Sequence, residues 1–160
     1  MTAFLQIGTV VAALGSGLIA GVFFAFSTFV MAGLAQLPPA EGLAAMQSIN
    51  RTALRPPFMA VLFGTALACL GLAVWAVLNW GERSAGWVLA GAALYVIGAI
   101  VVTIVANVSR NEALALLDPG DPGTAELWVS YVASWTGWNH VRTLASLGAA
   151  ALLTVALLRA

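Results

Sequence analysis

Apolar residues fill this chain in four long blocks, at about residues 4–35, 57–80, 85–107 and 137–158. The first three carry no charged side chain, and the fourth is clean from Thr143 to Leu158. A helix rises about 1.5 Å per residue, so about 20 apolar residues cross the hydrocarbon core of a bilayer. The pattern predicts an all-α integral membrane four-helix bundle, a single transmembrane domain over residues 1–160. The third helix is expected to run past the bilayer to Leu117, and the fourth to begin near Ala125.

The breaks between blocks are informative. Pro38-Pro39 ends the first helix, and Leu43, Met46, Ile49 and Ala53 then recur at helical spacing. Gln47, Asn50, Arg51 and Leu54 form a neighbouring face. This predicts a short amphipathic helix between helices 1 and 2, lying at the interface or capping the bundle. Arg55-Pro56-Pro57 restarts the chain. Around Gly81-Glu82-Arg83-Ser84, the residues Trp75, Trp80 and Trp87 suit an aromatic belt. Asp118-Pro119-Gly120-Asp121-Pro122-Gly123 is a turn, with Thr124 placed to cap the last helix. Gly17-Leu18-Ile19-Ala20-Gly21 is a GxxxG motif. Such small residues favour close helix packing inside the same bundle, and alternatively a homo-oligomer through the Gly17/Gly21 face.

Composition narrows the partners. Of 160 residues, 62% are apolar and 8% charged, with no lysine and zero net charge. A soluble domain would carry about a quarter charged residues. No basic patch points to nucleic acid, so the expected partners are membrane lipid and a hydrophobic small molecule. Cys69 is the single cysteine, which excludes an intrachain disulfide or a CxxC redox pair. One histidine makes a metal site unexpected. The first block has no positive leading region and is too long for a signal peptide. Arg51, Arg55, Arg110 and Arg142 fall on one side of the membrane, and Arg83 and Arg159 on the other. The positive-inside rule places the first group in the cytoplasm.

Four spans put the first and third connections on one side. Three polar segments therefore gather at one end: Asn50-Arg51, Asn107 to Glu112, and Trp135 to Arg142. At about 100° per residue, Thr103, Asn107 and Asn111 form one stripe, with Arg110 close to it. Trp128, Tyr131, Trp135, Trp138, Asn139 and Arg142 form another. His140 lies roughly 200° from Arg142 on a regular helix and should face elsewhere, unless Gly137 distorts the helix. One reading is an aromatic-walled pocket. Arg142 holds an anionic oxygen, Asn50, Asn107, Asn111 and Asn139 orient oxygen groups, and Trp135 and Trp138 stack on a flat ring. The other reading is structural: the asparagines join helices, and Arg142 snorkels or pairs with Glu112.

Four patterns carry a family resemblance: Gly21-Val22-Phe23-Phe24-Ala25-Phe26-Ser27, Met46-Gln47-Ser48-Ile49-Asn50, Asn107-Val108-Ser109-Arg110-Asn111, and Trp138-Asn139-His140-Val141-Arg142-Thr143. Together they resemble the anthrone oxygenase-like family of small four-span membrane proteins. Ser109-Arg110-Asn111 stands where such proteins often have Pro-Leu-Asn, and the asparagine spacing is kept. The resemblance implies a bacterial plasma membrane location. It also implies oxidation of a hydrophobic aromatic or quinone-like substrate by O2, with no tightly bound cofactor. Arg142, His140 and Asn139 become the candidate catalytic residues, and Asn50, Asn107, Asn111, Trp135 and Trp138 the candidate binding residues. The proton acceptor is the open question. His140 is the only histidine, and Glu112 substitutes if it turns inward. A non-catalytic binding or assembly module is the competing class. A transporter lacks the inverted repeat it should show.

Overall fold

Prolines, glycines and two aspartates set where the helices begin and end. The computed structural model describes residues 2–121 and 123–160. Helix α1 spans Ala3–Leu34, α2 Pro39–Ala53, α3 Pro56–Leu78, α4 Ala85–Ala115 and α5 Thr124–Leu158. All but α2 are long and apolar enough to cross a membrane. The 35 residues of α5 extend over about 52 Å, well beyond a hydrocarbon core of about 30 Å. The expected crossings at 85–107 and 137–158 are thus the apolar portions of longer helices.

The turn before α5 differs in detail from expectation. The Asp118 carboxylate accepts the Gly120 N–H at 2.9 Å, and that of Asp121 accepts the Gly123 N–H at 2.8 Å. These are the two-residue Asx links that make aspartate a turn former. Thr124 is not the cap. It is already helical, and its hydroxyl donates to the Asp121 carbonyl at 2.7 Å.

Two cores hold the bundle. The larger one lies between α1, α3, α4 and α5 and is built from small side chains: Ala12, Ala76, Ala92, Ala99, Ala149 and Ala156, with Ile19, Leu72, Val88 and Leu153 filling between them. Cys69 is buried here. Gly98 allows a close approach of α4 to α5, because a Cβ on it would overlap the Ala145 methyl. Tyr95 is fully buried and donates its hydroxyl to the Leu62 carbonyl at 3.1 Å.

The second core stands at the end where α2 and the α4–α5 turn lie. It contains Met31, Leu43, Met46, Leu114, Trp128, Tyr131 and Trp135. Leu43 and Met46 are the apolar stripe of α2, so α2 caps the bundle across α4 and α5. Gly42 fits there because a Cβ would strike the Leu34 carbonyl and the Trp128 ring. The Gln47 amide donates to the Leu114 and Leu117 carbonyls at 2.9 and 3.0 Å. It thereby satisfies acceptors that the end of α4 leaves open.

Two features depart from the periodicity argument. Gly17 and Gly21 do not pack inside the bundle: a Cβ on either meets open space, whereas Gly15 is the glycine pressed against Thr65. The spans are also not uniformly α-helical. α1 widens into π-helical turns over Phe26–Val30, and α4 does so over Leu94–Val101 and Thr103–Val108. π-turns concentrate at functional sites in helical proteins, and two of these three flank the second core.

Candidate functional site

Arg142 organises the polar end of the bundle. It sits on α5 with 5% of its surface exposed. One terminal nitrogen donates to the Thr103 hydroxyl at 3.2 Å, and the other to the Asn139 side-chain oxygen Oδ1 at 2.5 Å. Its guanidinium carbon stands 4.1 Å from the Phe23 ring centre and 5.1 Å from that of Trp135, within cation–π range. A guanidinium has five N–H donors, and the buried Nε–H has no partner. Glu112, the carboxylate considered for pairing with it, is exposed on α4.

Asn139 holds Arg142 and ties α5 to α1. Its amide nitrogen donates to the Phe23 carbonyl at 2.6 Å and to the Ser27 hydroxyl at 2.7 Å. The Ser27 and Thr143 hydroxyls lie 3.4 Å apart, and Thr143 donates back to the Asn139 carbonyl at 2.9 Å. Asn111 plays the matching part on α4. Its carbonyl oxygen accepts both the Tyr131 hydroxyl at 2.9 Å and the Trp135 indole N–H at 2.8 Å. This pair of hydrogen bonds to the Asn111 side-chain oxygen pins two aromatic rings. Trp135 also packs against Phe26 with ring centres 5.8 Å apart. Asn107 donates to the Trp135 carbonyl at 3.2 Å, and its own oxygen is buried without a partner.

These side chains surround a cavity of about 130 Å³. Its walls are apolar, from Phe23, Phe26, Met46, Phe58 and Leu62. Trp135 closes one side, and Arg142, Thr103, Asn111 and Asn50 bring the polar atoms. The Asn50 amide nitrogen is a second buried donor without a partner. Among the described residues, no carboxylate or imidazole lines this cavity. The arrangement is rich in hydrogen-bond donors and poor in bases, which suits an anionic oxygen rather than a cation.

Of the residues singled out in the sequence, Asn50, Asn111, Trp135 and Arg142 line the cavity, and Asn139 stands behind Arg142. Asn107 supports the Trp135 backbone instead of lining the space. Trp138 is misplaced by the stripe argument: it is 42% exposed on the outer surface. It lies at the stripe's edge, about 60° from Trp135 and about 100° from Asn139, so the packed face turns past it. His140 is exposed on the outer side of α5, and Glu112 is exposed as well. Neither lines this cavity. Phe23, Phe26 and Ser27 on α1 stand in the first family pattern but are not among the expected site residues. The available signal was Ser27, a hydroxyl in an otherwise apolar block.

A model of the anthrone oxygenase family matches residues 58–152, more than half of the chain. The chain belongs to the anthrone oxygenase family. The matched stretch carries Thr103, Asn107, Asn111, Trp135, Asn139 and Arg142, the donor side of the cavity. The facing wall from α1 and α2, with Phe23, Phe26 and Asn50, lies outside it. No curated protein and no solved structure gives a match. Within the family, then, this chain presents one matched polar wall opposite a wall described by its own geometry.

Proposed function

We propose that the chain binds a flat, hydrophobic carbon acid such as an anthrone as its enolate, and oxidises it with O2. The observation that carries this reading is the buried Arg142 guanidinium, with an unpartnered N–H, at the edge of an apolar cavity. A charge held in a dry environment acts on its neighbours far more strongly than in water. A nearby cation favours the ionised form of an acid, so Arg142 stabilises the enolate oxygen, with Asn50 as a second donor. Phe26 and Trp135 supply aromatic surface for a ring.

The chemistry balances without a further reductant. The methylene C–H proton leaves to water at the cavity mouth, since no lining side chain is a base. The resulting carbanion forms a C–O bond to O2, the peroxide anion takes one proton back from water, and the hydroperoxide loses water by breaking its C–H and O–O bonds to give the ketone. The sum is CH2 plus O2 to C=O plus H2O. The carbon loses four electrons, and O2 accepts them.

The lack of a lining base favours one second reading, a binder of the same anion without turnover. One experiment separates the two. Purified protein in nanodiscs, supplied with anthrone and oxygen, should consume O2 and develop quinone absorbance faster than protein-free discs. The Arg142→Gln variant should lose about 10²–10³-fold in turnover, the usual cost of removing an oxyanion donor. A folded Arg142→Gln protein as active as the parent overturns the assignment. Anthrone binding without oxygen uptake supports the binder.

A further inference from the structure

The cavity at Arg142 is too small for the ligand class assigned to it. Its volume is about 130 Å³, whereas a protein cavity of about 150 Å³ holds a single benzene. Three fused rings do not fit inside. Directly outside lies a groove of about 520 Å³ between α1, α2 and the start of α3. Groove and cavity share Val22, Phe26, Ile49, Ala53 and Phe58, so the two spaces adjoin.

Their chemistry is graded. The charged donor and the hydroxyl of Thr103 belong to the inner space alone. The groove is apolar along its floor, with only Ser48 and Thr52 as polar residues, both exposed. It is lined by α1, α2 and the first residues of α3.

We propose that the substrate is bound in two parts. About one ring's worth, carrying the acidic oxygen, lies in the inner cavity against Arg142. The remaining rings or apolar chain lie in the α1–α2–α3 groove, through which the molecule enters from the membrane. The substrate class is therefore an amphiphilic phenol or enol with an apolar extension, drawn from the bilayer, and not a small water-soluble phenol. This rests on the reading of Arg142 as an oxyanion site. The polar end enters first because the donors are innermost. The extension stays in the groove because burying apolar surface there is favourable by about 25 cal/mol per Å².

Ser48 and Ala45 line the groove but not the cavity. Ser48→Trp in nanodiscs should fill the groove and leave the donors untouched. Binding is read by titration of two probes, anthrone with three fused rings and 4-nitrophenol with one. Ser48→Trp should weaken anthrone at least tenfold and change 4-nitrophenol less than twofold. Ala45→Phe repeats the test if Ser48→Trp fails to fold. An equal effect on both probes, or none on either, overturns the two-part site. So does a parent protein that binds 4-nitrophenol and rejects anthrone. A parent that binds neither overturns the Arg142 reading itself.

Discussion

Near the α3–α4 turn, the helices meet through alanine and glycine. At the opposite end they meet through aromatic rings, amides and a guanidinium. In lipid, apolar side chains gain little by leaving the solvent, so helices associate by close backbone approach. The Gly91–Leu153 contact is of that kind, and the Gly98–Ala145 contact continues it to mid-span. At the other end Trp128, Tyr131 and Trp135 hold the backbones apart, and α1 and α4 widen into π-helical turns beside them. That end contains the cavity, and beside it the Arg142 Nε, the Asn50 amide nitrogen and the Asn107 carbonyl oxygen lack partners. Among the described residues, the close-packed part fixes the helices and leaves only the Ser16 and Ser146 hydroxyls without partners, whereas the open end leaves a guanidinium N–H and two amide atoms.

The sharpest way to break that contrast is to remove the charge. Arg142→Met keeps most of the volume and has no donor. Turnover and ligand affinity should fall by about 10² or more, as for an oxyanion-site deletion. Thermal stability in detergent should rise, since replacing buried charge by packed apolar atoms is neutral or stabilising by about 1–4 kcal/mol. A lower melting temperature would mean that Arg142 holds the helices together, and the open end would then be structural.

The converse test belongs to the close-packed end. Gly91→Leu forces side-chain atoms into Leu153 and the Ala149 carbonyl, and overpacking of this kind costs about 1–3 kcal/mol. Melting should fall accordingly, while the fraction that remains folded binds ligand as the parent does. A loss of affinity greater than the loss of folded protein would show that the two ends are coupled.

The same contrast explains what could be read in the sequence. Hydropathy marks the four spans because each must cover a bilayer thickness with apolar residues. Arg142 is conspicuous because a charge at the lip of an apolar block is costly. The faces of α5 followed a regular period and were right for Trp135, Asn139 and Arg142. They failed at Trp138, which sits at the stripe's edge, where a few tens of degrees decide between inside and outside. The π-turns have no periodic signature, so the α1 wall of Phe23, Phe26 and Ser27 stayed hidden. Small residues mislead for a related reason. Gly17 and Gly21 match a packing motif, yet which face of α1 is covered is decided by its neighbours, and Gly15 has the contact. The capping role of α2 depends on Gln47 reaching two carbonyls about 70 positions away, which local pattern cannot reveal.

The smallest expected effect is the most informative about catalysis. His140 is the one imidazole in the chain and lies two residues from Arg142. Chemistry alone would choose it as the proton acceptor. It is exposed on the outer side of α5, roughly 200° from the Arg142 direction. For its ring to face the cavity, α5 would have to rotate by about half a turn. That rotation would withdraw Arg142 from Thr103, Asn139 from Phe23 and Ser27, and Trp135 from Asn111. His140→Ala should therefore leave the initial rate of quinone formation within twofold of the parent. A tenfold loss in a protein with unchanged melting would show that a proton relay runs over the outer face of α5. In that case the catalytic region would extend beyond the open end of the bundle.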